Sequence, residues 1–377
     1  MGPVLRISRG GALTLTLSGL ASGEAAALRA AVRSSDSGTG FGLSPSFSPS
    51  DASPDIFLTG TAEQLKRLAR GIEAGFPADI AGKIGSLIDN YLRSDYKIDC
   101  RGKQLDIGGR TRIMGILNAT PDSFSDGGLY HDAGRALAHA RGMAAAGADI
   151  IDIGGESTRP GAEPVSEEEE LRRILPLIER LSRELAIPLS VDTYKSRVAQ
   201  KALAAGASIV NDISGLRFSP DMAKVAADYG AAVVIMHIKG TPRNMQQHPE
   251  YGDVVGEIRE YLRDGIEIAM KAGVDREKIM VDPGIGFGKT LNHNLTILNR
   301  LDEFKALGRP IVLGTSRKKF IGAVLNVPAP EERIDGTAAT VALSIERGAS
   351  IVRVHDVARM TQVARMTDAI VRPVSRL

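Results

Sequence analysis

A chain of 377 residues, 43% hydrophobic and 24% charged, has room for one large domain and a smaller one, with ample apolar side chains for a packed core. Its net charge of +2, spread evenly, with no Trp and 4% aromatic residues, excludes nucleic acid as a partner, so basic groups that matter should be local and face a small anion. The single cysteine, Cys100, forms no internal disulfide; with no signal-type N-terminus and no apolar run of membrane-spanning length, the expected location is the cytoplasm, with no membrane partner.

Residues 1–95 read as a small α/β module. Strand patterns occur at 4–8 and 13–18, and Ser22 can cap a helix reaching about Arg33. Segment 34–54 is rich in Ser, Gly and Pro and reads as a flexible loop or linker. A strand pattern follows at 56–60, Thr61 can cap a helix from Ala62 to about Gly75, and Pro77 opens a helix ending near Ser94. No motif with chemical content lies here, so the module reads as a docking or scaffold element.

From residue 96 the pattern is regular. A hairpin is expected at 96–100 and 104–107. Eight short apolar runs follow, at 113–117, 150–153, 189–191, 209–211, 232–236, 279–281, 311–313 and 351–354. Helical stretches separate them, near 132–146, 166–185, 195–205, 219–229, 252–272, 294–306 and an interrupted 317–347, with a last one at 356–370. Near-continuous apolar strands mark a parallel sheet covered on both faces. Eight β/α units predict an α/β protein, a (β/α)8 TIM barrel over 96–377 with the small N-terminal extension. A doubly wound sheet is the alternative.

Each apolar run ends in polar or glycine residues, and in a barrel these ends converge on one face, where such enzymes place their sites. They include Asn118, Asp152 running into GGESTRPG (154–161), Asp192, Asn211–Asp212, Met236–His237, Asp282-PGIGFGK, GTSRKK (314–319), Arg353 and His355. A single Asp after a strand usually caps the next helix, which suits Asp212. Carboxylates and amides at Asp192, Asn211 and Asp282 suit a flat heterocycle with N–H donors. Arg353, His355, Asn118, Ser157 and Thr158 suit an anion, and Arg353 and His355, two apart, share a strand face. Lys318 can serve either set. Asp152 reads equally as a buried structural carboxylate or a ligand, and His237 as a core histidine. The acidic run 167–170 reads as a helix's first turn, and His131, His139, His248 and His293 as surface or loop residues. No His/Cys cluster has zinc spacing, and there is no nucleophile elbow. PGIGFGKT (283–290) lacks the first glycine of a phosphate loop.

The ordered set of motifs resembles the dihydropteroate synthase family: MGILNATPDSFSDGG (114–128), DIGGESTRPGAE (152–163), SVDTYK (190–195), NDISG (211–215), MHIKGTPRNMQ (236–246), DPGIGFGK (282–289), GTSRKKFIG (314–322) and RVHD (353–356). The likeness covers about residues 96–370. It implies a transferase of folate biosynthesis and sulfonamide target that condenses (7,8-dihydropterin-6-yl)methyl diphosphate with p-aminobenzoate, releasing pyrophosphate. It implies pterin contacts at Asp192, Asn211, Met236, Asp282 and Lys318, and pyrophosphate contacts at Asn118, Thr158, Arg353 and His355. Asn118 would also bind Mg2+. Phe124, Ser157, Thr158, Arg159, Pro160, Phe287 and Lys319 would adjoin the p-aminobenzoate. The family is usually homodimeric, and the late helices, including 335–347, are interface candidates. Lys319 departs from the small hydroxyl residue common there. The rivals are a methyltetrahydrofolate–corrinoid methyltransferase and a non-catalytic pterin-binding protein.

Overall fold

The computed structural model describes residues 4–8, 13–18, single positions between 23 and 32, 40–43, 56–72, 78–119, 129–158 and 161–372. It divides into two compact units. One is Met1–Arg93 with Asp302–Gly308, the other Ser94–Leu301 with Arg309–Leu377.

In the first unit, strands β1 (Val4–Ser8), β2 (Leu13–Ser18), β3 (Gly40–Leu43) and β4 (Ile56–Gly60) form an antiparallel sheet in the order β1-β2-β4-β3. Helices α1 (Ala62–Ile72) and α2 (Ala78–Leu92) follow. Alternate residues Leu15, Leu17, Ile56 and Leu58 of the strands meet Leu65, Leu68, Ile84, Ile88 and Tyr91 of the helices in one buried cluster. The two spacings, two residues on strands and three or four on helices, are those of half-buried elements. Thr61 and Gln64 close a reciprocal cap: the Thr61 N–H donates to Gln64 Oε1 at 2.7 Å and the Gln64 N–H to Thr61 Oγ1 at 3.2 Å. Within the expected linker 34–54, Gly40–Leu43 form a strand, and the rest of the segment lies outside the described residues. The residues of β3 pair along β4 and satisfy backbone groups that β4 would otherwise leave open on that edge. The helix expected from Ser22 to Arg33 falls largely outside the described residues.

The second unit opens with the hairpin β5 (Tyr96–Cys100) and β6 (Lys103–Ile107). Eight strands follow: β7 (Arg112–Asn118), β8 (Ile150–Gly154), β9 (Leu189–Asp192), β10 (Ile209–Asp212), β11 (Ala232–Met236), β12 (Ile279–Asp282), β13 (Val312–Leu313) and β14 (Ile351–Val354). All pair in parallel, in the order β12-β11-β10-β9-β8-β7-β14-β13, and a parallel bridge from Val281 to Ile311 closes the ring. The helices are α3 (Leu129–Ala145), α4 (Glu167–Glu184), α5 (Ser196–Ala204), α6 (Met222–Asp228), α7 (Val254–Lys271), α8 (Leu291–Asn299), α9 (Lys319–Leu325), α10 (Ile334–Glu346) and α11 (Val357–Val371). This is a (β/α)8 barrel. Among the described residues no helix is long and apolar enough to cross a membrane.

The hairpin closes the floor of the barrel. Tyr96, Ile98, Cys100, Leu105 and Ile107 pack against the lowest inward residues of seven strands, Met114, Ile150, Ile209, Ala232, Met280, Val312 and Ile351. Cations near its turn cap carbonyls at the ends of two helices: Arg101 donates to Leu203 O and Ala207 O at 2.5 and 2.6 Å, and Lys103 to Leu185 O and Ile187 O at 2.8 and 2.9 Å.

Candidate active site at the C-terminal ends of the barrel strands

The floor residues set the phase of seven strands, and register with β8 and β10 sets that of β9. Side chains alternate, so the residue two further along faces the same interior. From Ile150, Ile209, Met280, Val312 and Ile351 that step reaches Asp152, Asn211, Asp282, Gly314 and Arg353. On β11, Val234 belongs to the same cluster as Ala232, and the next step is Met236. Register places Asp192 opposite both Gly154 and Asn211, and Met236 opposite Asp282. The apolar core and the polar site are therefore successive layers of one interior.

Four of these groups form a contiguous network. Arg353 donates through Nε to Asp152 Oδ2 and through Nη2 to Asp192 Oδ2, both at 2.6 Å. Asn211 Nδ2 donates to Asp152 Oδ2 at 3.1 Å. A carboxylate only accepts, so this bond fixes the Asn211 amide with its oxygen free. The Oδ1 atoms of Asp152 and Asp192 are buried and accept nothing from the described residues. Burial pushes the Asp192 carboxyl up to about 7; the Arg353 charge opposes the shift, and Asp152, Glu170 and Asp212 reinforce it. Burial works against the Arg353 charge, but Asp152 and Asp192 outweigh it and hold the guanidinium above its ordinary pKa.

A second group lies on β12 and the loop after β13. Asp282 is buried, and its Oδ1 accepts the Gly284 N–H at 2.7 Å. Gly284 has φ of +69°, and a Cβ there would stand 2.0 Å from His237 O, so only glycine makes this turn. Lys318 donates to Ile285 O and sits 4.9 Å from the Phe287 ring centroid. Burial pushes Lys318 down to about 8, against the pull of Asp282. Burial likewise raises Asp282, against Lys318.

The remaining expected residues have separate places. Asn118 ends β7, half-buried, opposite Gly154, and Ser157 and Thr158 follow β8, also half-buried. His355 Nδ1 lies 3.0 Å from Ser316 Oγ, which also accepts the His355 N–H at 3.1 Å. Lys319 is exposed at the first position of α9. Phe124, Arg159 and Pro160 lie outside the described residues. Arg317 of the SRK motif is held by Asp356, with Nε to Oδ2 at 2.9 Å, which ties the loops after β13 and β14 together.

Residues of the opposite phase are structural. Asp212 accepts the Ser214 N–H and hydroxyl, each at 2.7 Å, and the Leu216 N–H at 3.0 Å. His237 is buried, and its Nδ1 is 2.9 Å from Lys289 Nζ. Burial and then the neighbouring Lys289 push the His237 pKa well down, so the imidazole is neutral; burial also pushes Lys289 well down, against the pull of Asp282. Lys289 itself was missed from sequence. It is buried behind Asp282 and donates to Phe287 O at 2.9 Å, holding the Asp282 loop. Two sequence readings hold and gain partners. His293, partly exposed, closes a capping box with Thr290 at the start of α8. Glu170 belongs to the acidic first turn of α4 but is buried, 2.7 Å from Lys195.

Among the described residues no group of three or more His, Cys, Asp or Glu is placed to hold a metal. The strand ends instead carry acceptors on β8, β9, β10 and β12 and cations on β14 and the loop after β13, an arrangement suited to a donor-rich ring carrying an anionic arm.

A profile of the family described as pterin-binding enzyme matches residues 114–355. The chain is 53% identical over 262 residues to the dihydropteroate synthase of Bacillus subtilis, covering 70% of this chain and 89% of that one. It is 52% identical to the structure of Clostridium difficile dihydropteroate synthase in the presence of pteroic acid, with a TM-score of 0.68 over 71% of this chain and 99% of that one. The structure of the Xanthomonas albilineans enzyme in complex with 7,8-dihydropteroate is 42% identical, with a TM-score of 0.67 over 74% and 99%. Phase, site and similarity agree: the chain belongs to the dihydropteroate synthase family of pterin-binding enzymes, and is a transferase.

Proposed function

We propose that the strand-end site binds (7,8-dihydropterin-6-yl)methyl diphosphate and joins it to p-aminobenzoate, giving 7,8-dihydropteroate and pyrophosphate. The observation that carries this is the row of acceptors beside half-buried cations. Asp192 Oδ1, the free oxygen of Asn211 and the Asp282 carboxylate accept from the N–H groups of the ring, with Met236 packing beside it. Lys318 donates to a ring acceptor. Asn118, Thr158, Arg353 and His355 take the diphosphate end. Ser157, Thr158, Arg159 and Pro160 after β8, with Phe124, Phe287 and Lys319, adjoin the aminobenzoate; Lys319 is exposed and offers its charge to the carboxylate.

The methylene C–O bond breaks and its electron pair leaves with the diphosphate. The resulting cation is delocalised over the ring, beside the carboxylates of Asp192 and Asp282. The neutral arylamine attacks the methylene carbon and releases its proton to water, so no strong base is needed. Binding holds the two reactants together. Mg2+, when bound, supplies positive charge to the departing diphosphate. Asn118 Oδ1 would offer such an ion a hard oxygen donor beside the diphosphate; among the described residues no group of three or more His, Cys, Asp or Glu would add to it.

Incubating the purified chain with the pterin diphosphate, Mg2+ and p-aminobenzoate should release pyrophosphate only when the arylamine is present. Bound pterin with no turnover would support a binding protein instead, and methyl transfer to a corrinoid the other rival. We also propose a homodimer through α10 and α11, on which Leu343, Met366 and Ile370 are exposed; a single-chain mass by sedimentation equilibrium would refute it.

The pKa shifts predict the pH profile. Asp192 must be ionised to accept, and Lys318 protonated to donate. With Asp192 at about 7 and Lys318 at about 8, kcat/KM for the pterin diphosphate should be bell-shaped. It falls on the acid side as Asp192 gains a proton and on the alkaline side as Lys318 loses one. Lys318→Arg should remove the alkaline limb; a limb that persists unchanged rules Lys318 out as its source.

A further inference from the structure

Beside the site, outside the pterin and diphosphate sets, lies a cluster of charges without a role in the reaction. Lys195 Nζ donates to Glu156 Oε2 at 2.5 Å, Glu170 Oε2 at 2.7 Å and Val165 O at 2.6 Å. Tyr194 donates its hydroxyl to Glu156 Oε1 at 2.6 Å, and Glu156 Oε2 accepts the Val165 N–H at 3.2 Å. The Lys195 side chain is 13% exposed and those of Glu156 and Glu170 are 7% and 1% exposed.

The placement of Lys195 runs against local rules. It is the N-cap of α5, has no side-chain capping bond and puts a cation at the positive end of a helix. Burying three charges is also unfavourable unless each is paired. A residue that breaks a local rule is retained for something beyond its own element. Here the contacts say what. Glu156 and Val165 are the two stems of the segment after β8, and one ammonium holds both. The same entry stem is fixed from α4, where Arg173 Nη1 donates to Gly155 O at 2.8 Å. Gly155 itself admits no side chain, since a Cβ would stand 2.9 Å from atoms of Glu170 and Ile174. Lys195 is held charged. Burial alone would lower its pKa, but the hydrogen bonds to Glu156 and Glu170 outweigh that and raise it.

We propose that Lys195, acting through Glu156 and Val165, is a positioning residue that fixes the backbone on which Ser157 and Thr158 are presented to the second substrate. This rests on the reading of Ser157 and Thr158 as neighbours of the aminobenzoate. It makes the charge cluster a determinant of p-aminobenzoate use; its hydrogen bonds go to the segment after β8 rather than to the pterin acceptors, and its link to that layer is the Glu170 charge acting on Asp192.

Kinetics and calorimetry on the full chain test this. In Lys195→Met the KM for p-aminobenzoate rises about tenfold, while the Kd of the diphosphate-free dihydropterin alcohol stays within about twofold. Lys195→Arg, which keeps charge and donors, recovers most of the loss. Glu156→Gln preserves shape and should shift the same KM in the same direction even if Lys195→Met does not fold. Thr158→Val probes the reading underneath: an unchanged aminobenzoate KM there overturns that reading. A raised KM in Thr158→Val with unchanged KM in Lys195→Met or Glu156→Gln overturns the positioning role, as does an equal loss of dihydropterin affinity, the mark of general destabilisation.

Discussion

Asp282→Asn should weaken dihydropterin binding about a thousandfold, measured by calorimetry with the diphosphate-free alcohol. The side chain is buried, and one oxygen is committed to the Gly284 N–H at 2.7 Å, so the other is the end available to a ligand. The substitution leaves shape intact and replaces an acceptor with a donor. Ring N–H groups would then face an amide NH2, and both would be desolvated without a partner. Charge-assisted hydrogen bonds are also about twice as strong as neutral ones, so the effect exceeds one ordinary hydrogen bond. Folding should not suffer in parallel, because burial already raises the Asp282 carboxyl and an amide is easier to bury than a charge. A loss below about tenfold would show that Asp282 serves its turn rather than the ring.

Arg353→Ala should act twice. Loss of the guanidinium removes the principal cation offered to the diphosphate and should lower kcat/KM about a thousandfold. It also leaves Asp152 and Asp192 buried without their shared counter-charge, a change that costs about 3–5 kcal/mol when one partner of a buried pair is removed. The melting temperature should therefore fall by roughly 10 °C at this chain size. The sign of the pH effect follows from the same pair. Arg353 holds Asp192 down, so without it the carboxyl titrates above about 7 and is largely protonated at neutrality. Dihydropterin binding should then be weak at and below neutrality, its acid limb moved to higher pH while Lys318 still sets the alkaline limb. A mutant with full affinity for the alcohol across the pH range, and only the diphosphate affected, would match the division read from sequence and contradict the coupling through Asp192.

That division marks where the sequence was legible. The eight apolar runs, their polar ends and the identity of the family were readable because strand patterns and motif order are local signals. The two-residue period also sorted Arg353 with His355. The same period applied to Ile150, Asp152 and Gly154 places Asp152 in the site layer, yet a lone carboxylate in an apolar run has two readings until its partners are known. Those partners, Asn211 and Arg353, lie on strands far away in sequence. Lys289 and Lys195 were hidden for a related reason. A lysine after a loop or before a helix looks solvent-facing, and only tertiary packing buried these two against His237 and against Glu156 and Glu170. Strand β3 was obscured by the Ser, Gly and Pro around it, and pairing with β4 overrode composition.

The central claim is that the acceptor row and the cations at the strand ends join an arylamine to the pterin methylene. The most direct test is turnover with p-aminobenzoate isotopically labelled at its amine nitrogen, followed by NMR of the product and intact mass of the protein. The account predicts a pteroate in which the labelled nitrogen couples to the methylene protons, formed one for one with pyrophosphate, and a protein of unchanged mass. Label remaining in the free amine while pyrophosphate is released, or a pterin adduct on the protein along the reaction path, would contradict it.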